Sequence, residues 1–298
     1  MTSMHQAIPH RRARGFTLVE AILVIVIIGV IGAIVAVFIR APSQGYADSA
    51  ARAAATDEAD LALRRIARDL RLALPNSVRV SDRGDAVEFL LTKTGGRYLT
   101  LDDDVAGMPV LNFENAAETS FTVVGGTMGP IEPGDYIVVY NLGGEAIPSD
   151  AYRYRAGAPD NNIVQVREVS HATANHPVVT MANNAFALQS TPMRSPSNRF
   201  QVVTGPITYA CEAGRDGSAE LVRYWGYPID ENQNLPPQGT PQRAVIASHV
   251  SDCEGVFRYG SDVTRRSALV ILNLVLHLPQ DRNTQVRLVN QVHVDNTP

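Results

Sequence analysis

Cysteine is scarce in this chain, with two among 298 residues, which excludes a small disulfide-dense scaffold. Lysine is scarcer still. Lys93 is the single lysine among 26 basic residues, a compositional bias from which no function follows. Neither sign of charge dominates, since 30 acidic residues leave a formal net charge of −4, and that argues against a general nucleic-acid binder. Catalytic signatures are missing as well: no Gly-rich loop ends in Lys-Ser or Lys-Thr, and there is no Gly-x-Ser-x-Gly elbow and no His-Glu-x-x-His. No catalytic residue, cofactor or metal is therefore expected, and an enzyme is the least favoured reading. His171 and His176 stand five apart without a nearby cysteine or acid, and Asp102-Asp103-Asp104 lacks the alternating ligands of an EF-hand, so both read as ordinary loops. With 45% apolar and 19% charged residues the bulk of the chain can fill a core, as one or two domains.

What is present is concentrated near the start. Ala21 to Ile39 is an uncharged run of nineteen residues rich in Ile and Val, about the length a helix needs to cross a bilayer. Arg11, Arg12 and Arg14 stand ahead of it in residues 1–15, which hold no acid, so the positive-inside bias keeps the N-terminus cytoplasmic and exports everything after Arg40. A secretory signal would have a shorter apolar stretch and a small-residue cleavage site. Here the distinctive junction lies before the run, in Gly15-Phe16-Thr17-Leu18-Val19-Glu20. A carboxylate inside hydrocarbon costs about 2.5 to 3.5 kcal/mol, so Glu20 is expected to have a partner. The alternative is that it snorkels to the headgroup boundary.

A basic leader, one glycine, and an apolar helix broken by a single acid together resemble the type IV pilin family. That resemblance implies a cut between Gly15 and Phe16 by a prepilin peptidase on the cytoplasmic side, followed by N-methylation of Phe16. It also implies that Glu20 neutralises the N-terminal amine of an adjacent subunit during assembly. Removing residues 1–15 deletes three arginines and no acid, leaving 23 basic against 30 acidic residues. The cut thus removes the main cytoplasmic anchor charge.

The expected fold class is α+β. A long N-terminal hydrophobic spine helix, bent or loosened near Arg40 to Tyr46 by Pro42 and Gly45, packs on a β-rich, mainly antiparallel C-terminal domain. Leu63, Ile66, Ala67, Leu70 and Leu74 recur at spacings of three and four and form the stripe that faces the body. Asp60 and Arg64 are a favourable pair four apart, Arg64, Arg65, Arg68 and Arg71 form a solvated or subunit-facing surface, and Pro75-Asn76 ends the helix. The expected divisions are a leader at 1–15, a transmembrane or fibre-core helix at 16–40, a periplasmic amphipathic stretch at 41–75, and a β-rich domain at 76–298.

Short β-type runs come next, at Val78 to Ser81, Ala86 to Leu91, Asp135 to Tyr140, Ile163 to Val169, Phe200 to Val203 and Glu220 to Trp225. Val270 to Leu278 and Val286 to Val294 alternate on either side of Pro279 to Asn283, which predicts a hairpin. Loops are expected at Gly125 to Gly134, Asn141 to Ser149, Ser190 to Asn198 and Asn234 to Pro241. Tyr224, Trp225 and Tyr227 could form a binding platform, though such aromatics more often serve the core or an edge. Whether 76–298 is one elaborated sheet or two subdomains stays open. Cys211 and Cys253 lie beyond the export signal, so a disulfide is expected, worth about 4 kcal/mol in the chain-entropy model.

Leu61 to Val80, Ile207 to Cys211, Leu221 to Trp225 and Gln291 to Pro298 resemble O-type biogenesis proteins of the mannose-sensitive haemagglutinin (MSHA) pilus, while about Lys93 to Asn198 carries no part of that resemblance. This implies a minor pilin held first in the bacterial inner membrane, with its body in the periplasm, and then in a pilus. The implied partners are the prepilin peptidase, other major and minor pilins through the N-terminal helix, and the inner-membrane assembly platform. The alternatives are a minor pseudopilin of a type II secretion system and, third, a DNA-uptake or adhesive tip pilin.

Overall fold

The computed structural model describes residues 15–298 except 104, 126–128, 145, 171–175, 215–216 and 265–266, and at 37, 39–44, 261–264 and 267 it describes backbone alone. His171 and Asp104 lie outside the described residues. The chain divides into two compact units, Met1–Ala53 and Ala54–Pro298. Helix α1 (Leu18–Arg71) contributes to both.

Twelve strands make up the second unit: β1 (Arg79–Val80), β2 (Ala86–Tyr98), β3 (Ser120–Val124), β4 (Tyr136–Val138), β5 (Ile163–Ser170), β6 (Val178–Met181), β7 (Arg199–Ala213), β8 (Ala219–Trp225), β9 (Gln242–Val250), β10 (Phe257–Thr264), β11 (Ser267–Leu278) and β12 (Asp281–Asp295). Neighbours along the sheet are antiparallel, so a helix and a mostly antiparallel β-rich body form an α+β arrangement.

The long strands β2 and β7 belong to two modules at once. Their ladder runs from Ala86↔Ala210 to Arg97↔Arg199, with register shifts between Leu90 and Thr94. Bulges of this kind bend a strand and re-aim the residues beyond them. On the Ala86 side, β2 and β7 continue through β1, β8, β9, β11, β10 and β12 into a sheet that carries the helix. On the Arg97 side, β2 pairs β3, β3 pairs β6, β6 pairs β5, β5 pairs β4, β4 pairs β7, and β7 returns to β2. This closes a ring of six strands. Its interior is a separate core that includes Phe113, Phe121, Ile137, Val164, Phe186 and Phe200. Four of its strands, β3 to β6, lie within Lys93 to Asn198.

Four residues of the expected stripe pack as their spacing predicts, while Leu74 lies past the helix end in another core with Leu90, Val138 and Val203. Ala59, Ala62, Leu63, Ile66, Ala67 and Leu70 are 0–4% exposed and share a core with Phe89, Tyr209, Leu221, Leu272, Leu274 and Val292. Each of the larger side chains contributes roughly 1.5–3 kcal/mol by leaving water. A polar pin fixes the same contact: Asp69 accepts from Tyr209 Oη (2.8 Å) and from Arg223 Nε (3.1 Å). Burial, with the Asp69 carboxylate alongside, pushes the Tyr209 phenol well up. The solvent face carries Arg64, Arg65, Arg68 and Arg71, all exposed, with Arg64 paired to Asp60 at 2.6 Å.

Several sequence expectations need adjustment. The helix stops at Arg71 rather than at Pro75, because Ala73 bridges Leu91 and the Leu74 N–H donates to Leu90 O (2.8 Å), drawing the chain onto β2. The last hairpin turns over Pro279 and Gln280 alone, with a register shift at His277/Leu278 taking up the extra residues. Strands β3, β6, β9 and β10 are additional to the runs read from sequence. All four expected loops fall between elements.

Candidate processing and assembly site

Gly15, Phe16 and Thr17 precede the helix in irregular backbone. Thr17 ends that stretch as a cap: its carbonyl accepts the Ala21 N–H (3.1 Å) and its Oγ1 accepts the Glu20 N–H (3.3 Å). The first turn of a helix leaves N–H groups without intrahelical partners, and a threonine hydroxyl satisfies one of them. Thr17-x-x-Glu20 also has capping-box spacing. That signal was open to sequence reasoning, which weighed Glu20 as an acid in hydrocarbon and as the partner of a neighbouring amine and passed over Thr17.

The Gly15–Phe16 bond thus lies outside the helix. Among the described residues, no atom comes within 4 Å of the place a Cβ on Gly15 would occupy. The chain itself would accept a larger residue there. Any demand for glycine must come from whatever approaches that bond.

Glu20 sits in the first turn and is exposed. The helix N-terminus favours its charge, and among the described residues its carboxylate has no side-chain partner. Around it the surface is apolar on every side. Leu18–Ala36 forms a 19-residue span of mean hydropathy 3.0 with none of its residues buried, and Phe16, Leu18, Ile25 and Ile28 are 63–79% exposed. The span begins three residues before the uncharged run read from sequence and so includes Glu20. A helix apolar all round is stable only within lipid or among other apolar helices. This one fits a membrane anchor.

The other sequence candidates lie apart from this segment. Cys211 on β7 and Cys253 in the β9–β10 connection form a disulfide with Cα atoms 5.3 Å apart. Asp103 accepts from the Thr100 N–H and hydroxyl and pairs with Arg97, and those hydrogen bonds hold its carboxyl below the usual carboxylate range. It therefore serves a turn. Tyr224 donates to Glu212 (2.7 Å), the Tyr227 and Thr208 hydroxyls bond one another, and Trp225 lies against the core with Arg223 5.0 Å from its ring centre. The three aromatics are tied into the sheet and form no platform. Among the described residues no group of three or more His, Cys, Asp or Glu is placed to hold a metal ion.

Residues 10–36 match the family model described as the prokaryotic N-terminal methylation motif. The match takes in Gly15, Phe16, Glu20 and the apolar span. No curated protein and no solved structure gives a significant match to the chain.

Proposed function

We propose that this chain is a minor prepilin of a type IV, MSHA-like pilus. A prepilin peptidase cuts between Gly15 and Phe16, and Phe16 becomes N-methylated. Before assembly the protein is a single-pass inner-membrane protein with a cytoplasmic N-terminus and a periplasmic β-rich body. It then enters the fibre through its apolar helix, from the assembly platform and alongside other pilins. Glu20 meets the new amine of a neighbouring subunit, which relieves the cost of a charge in apolar surroundings.

The observation that carries this reading is the coincidence of the methylation motif at 10–36 with an apolar helix wholly exposed from Leu18 to Ala36. The segments that resemble O-type MSHA proteins support the finer assignment. They include parts of α1, β1, β7, β8 and β12.

Two substitutions test the proposal in cells. Gly15→Leu should leave unprocessed precursor in the inner membrane, whereas normal processing contradicts the cut site. Glu20→Ala should be processed and assemble poorly, and unchanged piliation would contradict the role given to Glu20. Loss of the gene should reduce surface pili. Blocked secretion of folded exoenzymes with pili intact would instead identify a type II pseudopilin.

A further inference from the structure

Near its end, strand β9 carries a residue more than the stretch of β8 beside it. Ala247 stands opposite Leu221 and Val250 opposite Ala219, with a register shift between the two pairs. The surplus forms a bulge in which His249 has φ +58°. Bulges re-aim side chains, and a residue other than glycine stays in the left-handed region only where its surroundings hold it there. One such hold comes from α1: Glu58 Oε1 accepts the N–H of the preceding residue, Ser248, at 2.6 Å.

The side chain that His249 meets is His277. On β11, Leu272, Leu274 and Leu276 pack into the core shared with α1, and successive strand residues point to opposite faces, so His277 lies on the other face of the sheet. The two imidazole rings are 5.4 Å apart, centre to centre, with their planes at 70°. His277 is 8% exposed, and its Nδ1 stands 3.2 Å from Leu278 O. A carbonyl oxygen only accepts, so Nδ1 carries the proton and Nε2 keeps its lone pair. A histidine that donates one ring N–H to a backbone carbonyl and leaves the other nitrogen bare is in the form that ligates metals.

We infer that His249 and His277 form a binding site for a late first-row divalent metal ion, zinc foremost, which cross-links β9 to β11. Imidazole nitrogens suit zinc, copper and nickel rather than the oxygen-seeking magnesium and calcium. The spacing suits a tetrahedral ion. A zinc about 2.0–2.1 Å from one nitrogen of each ring sits roughly 3.2 Å from each ring centre, and at the tetrahedral angle this puts the centres about 5.2 Å apart. Water completes the shell. The bridge reinforces a thin seam, because among the described residues Leu276↔Val250 is the one register pair of β9 with β11, supplemented by the Ser251 N–H donating to Val275 O at 2.8 Å. The site belongs wholly to the second unit and stands whether or not the N-terminus is processed.

The test is a zinc titration of the full chain in detergent, stripped of metal beforehand with a chelator, read by equilibrium dialysis and by the unfolding temperature. Wild type should bind zinc and unfold several degrees higher with the ion than without it. His277→Gln should weaken zinc binding about tenfold or more. His249→Asn should do the same, and since asparagine tolerates the left-handed backbone, its metal-free form should unfold at the wild-type temperature. His176→Ala, in the β5–β6 connection, should change neither readout. Zinc binding as tight in His249→Asn and His277→Gln as in wild type overturns the inference. So does a wild-type unfolding temperature that zinc leaves unmoved.

Discussion

Helix α1 holds two stretches that meet their surroundings in opposite ways. From Leu18 to Ala36 no residue is buried, while Ala59, Leu63, Ile66 and Leu70 farther along are at most 4% exposed. The difference lies in pattern. An apolar surface on every side leaves nothing to face water, so the first stretch takes its stability from lipid or neighbouring helices. A stripe at spacings of three and four needs only one partner, and the chain supplies it as the sheet of β2, β7, β8, β11 and β12. An exposed apolar surface and a buried stripe thus occupy different parts of one helix.

The comparison can be broken most severely at the bridge. The disulfide closes a sequence separation of 42 residues inside the second unit, and the chain-entropy model assigns it about 4 kcal/mol. Cys211→Ser together with Cys253→Ser should lower the stability of the body by up to about that amount in denaturant unfolding. Membrane retention through Leu18–Ala36 should not change.

Next in size is a matched pair of truncations on α1. Leu70→Ala removes a side chain with no exposure and should cost about 2–5 kcal/mol. Ile28→Ala removes one that is 63% exposed and should alter unfolding of the body by less than about 0.5 kcal/mol. Equal effects from the two would end the distinction between the stretches.

The smallest effect concerns pH. Glu88 is 2% exposed, accepts from Arg79 Nη2 (2.7 Å) and Thr208 Oγ1 (3.3 Å), and burial pushes its carboxyl above the ordinary carboxylate range against the pull of Arg79. The folded state therefore holds this proton to higher pH than the unfolded chain does. Its contribution to stability is greatest below the ordinary carboxylate pKa and declines as pH rises through the raised one. Thermal unfolding between about pH 4 and pH 7 should show this decline, and Glu88→Gln should flatten it.

Legibility followed periodicity. The stripe from Leu63 to Leu70 and the alternation from Val270 to Val294 are long enough to fix face and pairing, and both elements lie where their patterns put them. The six-strand ring had no such signal. Its strands β3 and β6 are five and four residues long, too short for alternation to stand out, whereas β4 lies within the run read at Asp135 to Tyr140. Its closure depends on pairs such as Tyr136↔Val203, 67 residues apart in sequence. Strand β10 carries Gly260, Ser261 and Asp262 in its middle, residues that disfavour a strand. At the N-terminal segment, Gly15, Phe16 and Glu20 stood out through the resemblance of their junction to the type IV pilin leader. Thr17 was missed although its capping-box spacing to Glu20 stands in the sequence.

If the N-terminal segment is made to be cut and then buried in an assembly, the intact mass of the protein extracted from native membranes shows it most directly. The expected species is a chain beginning at N-methylated Phe16, with Cys211 and Cys253 still bridged. A mass corresponding to a chain that still begins at Met1 would contradict it.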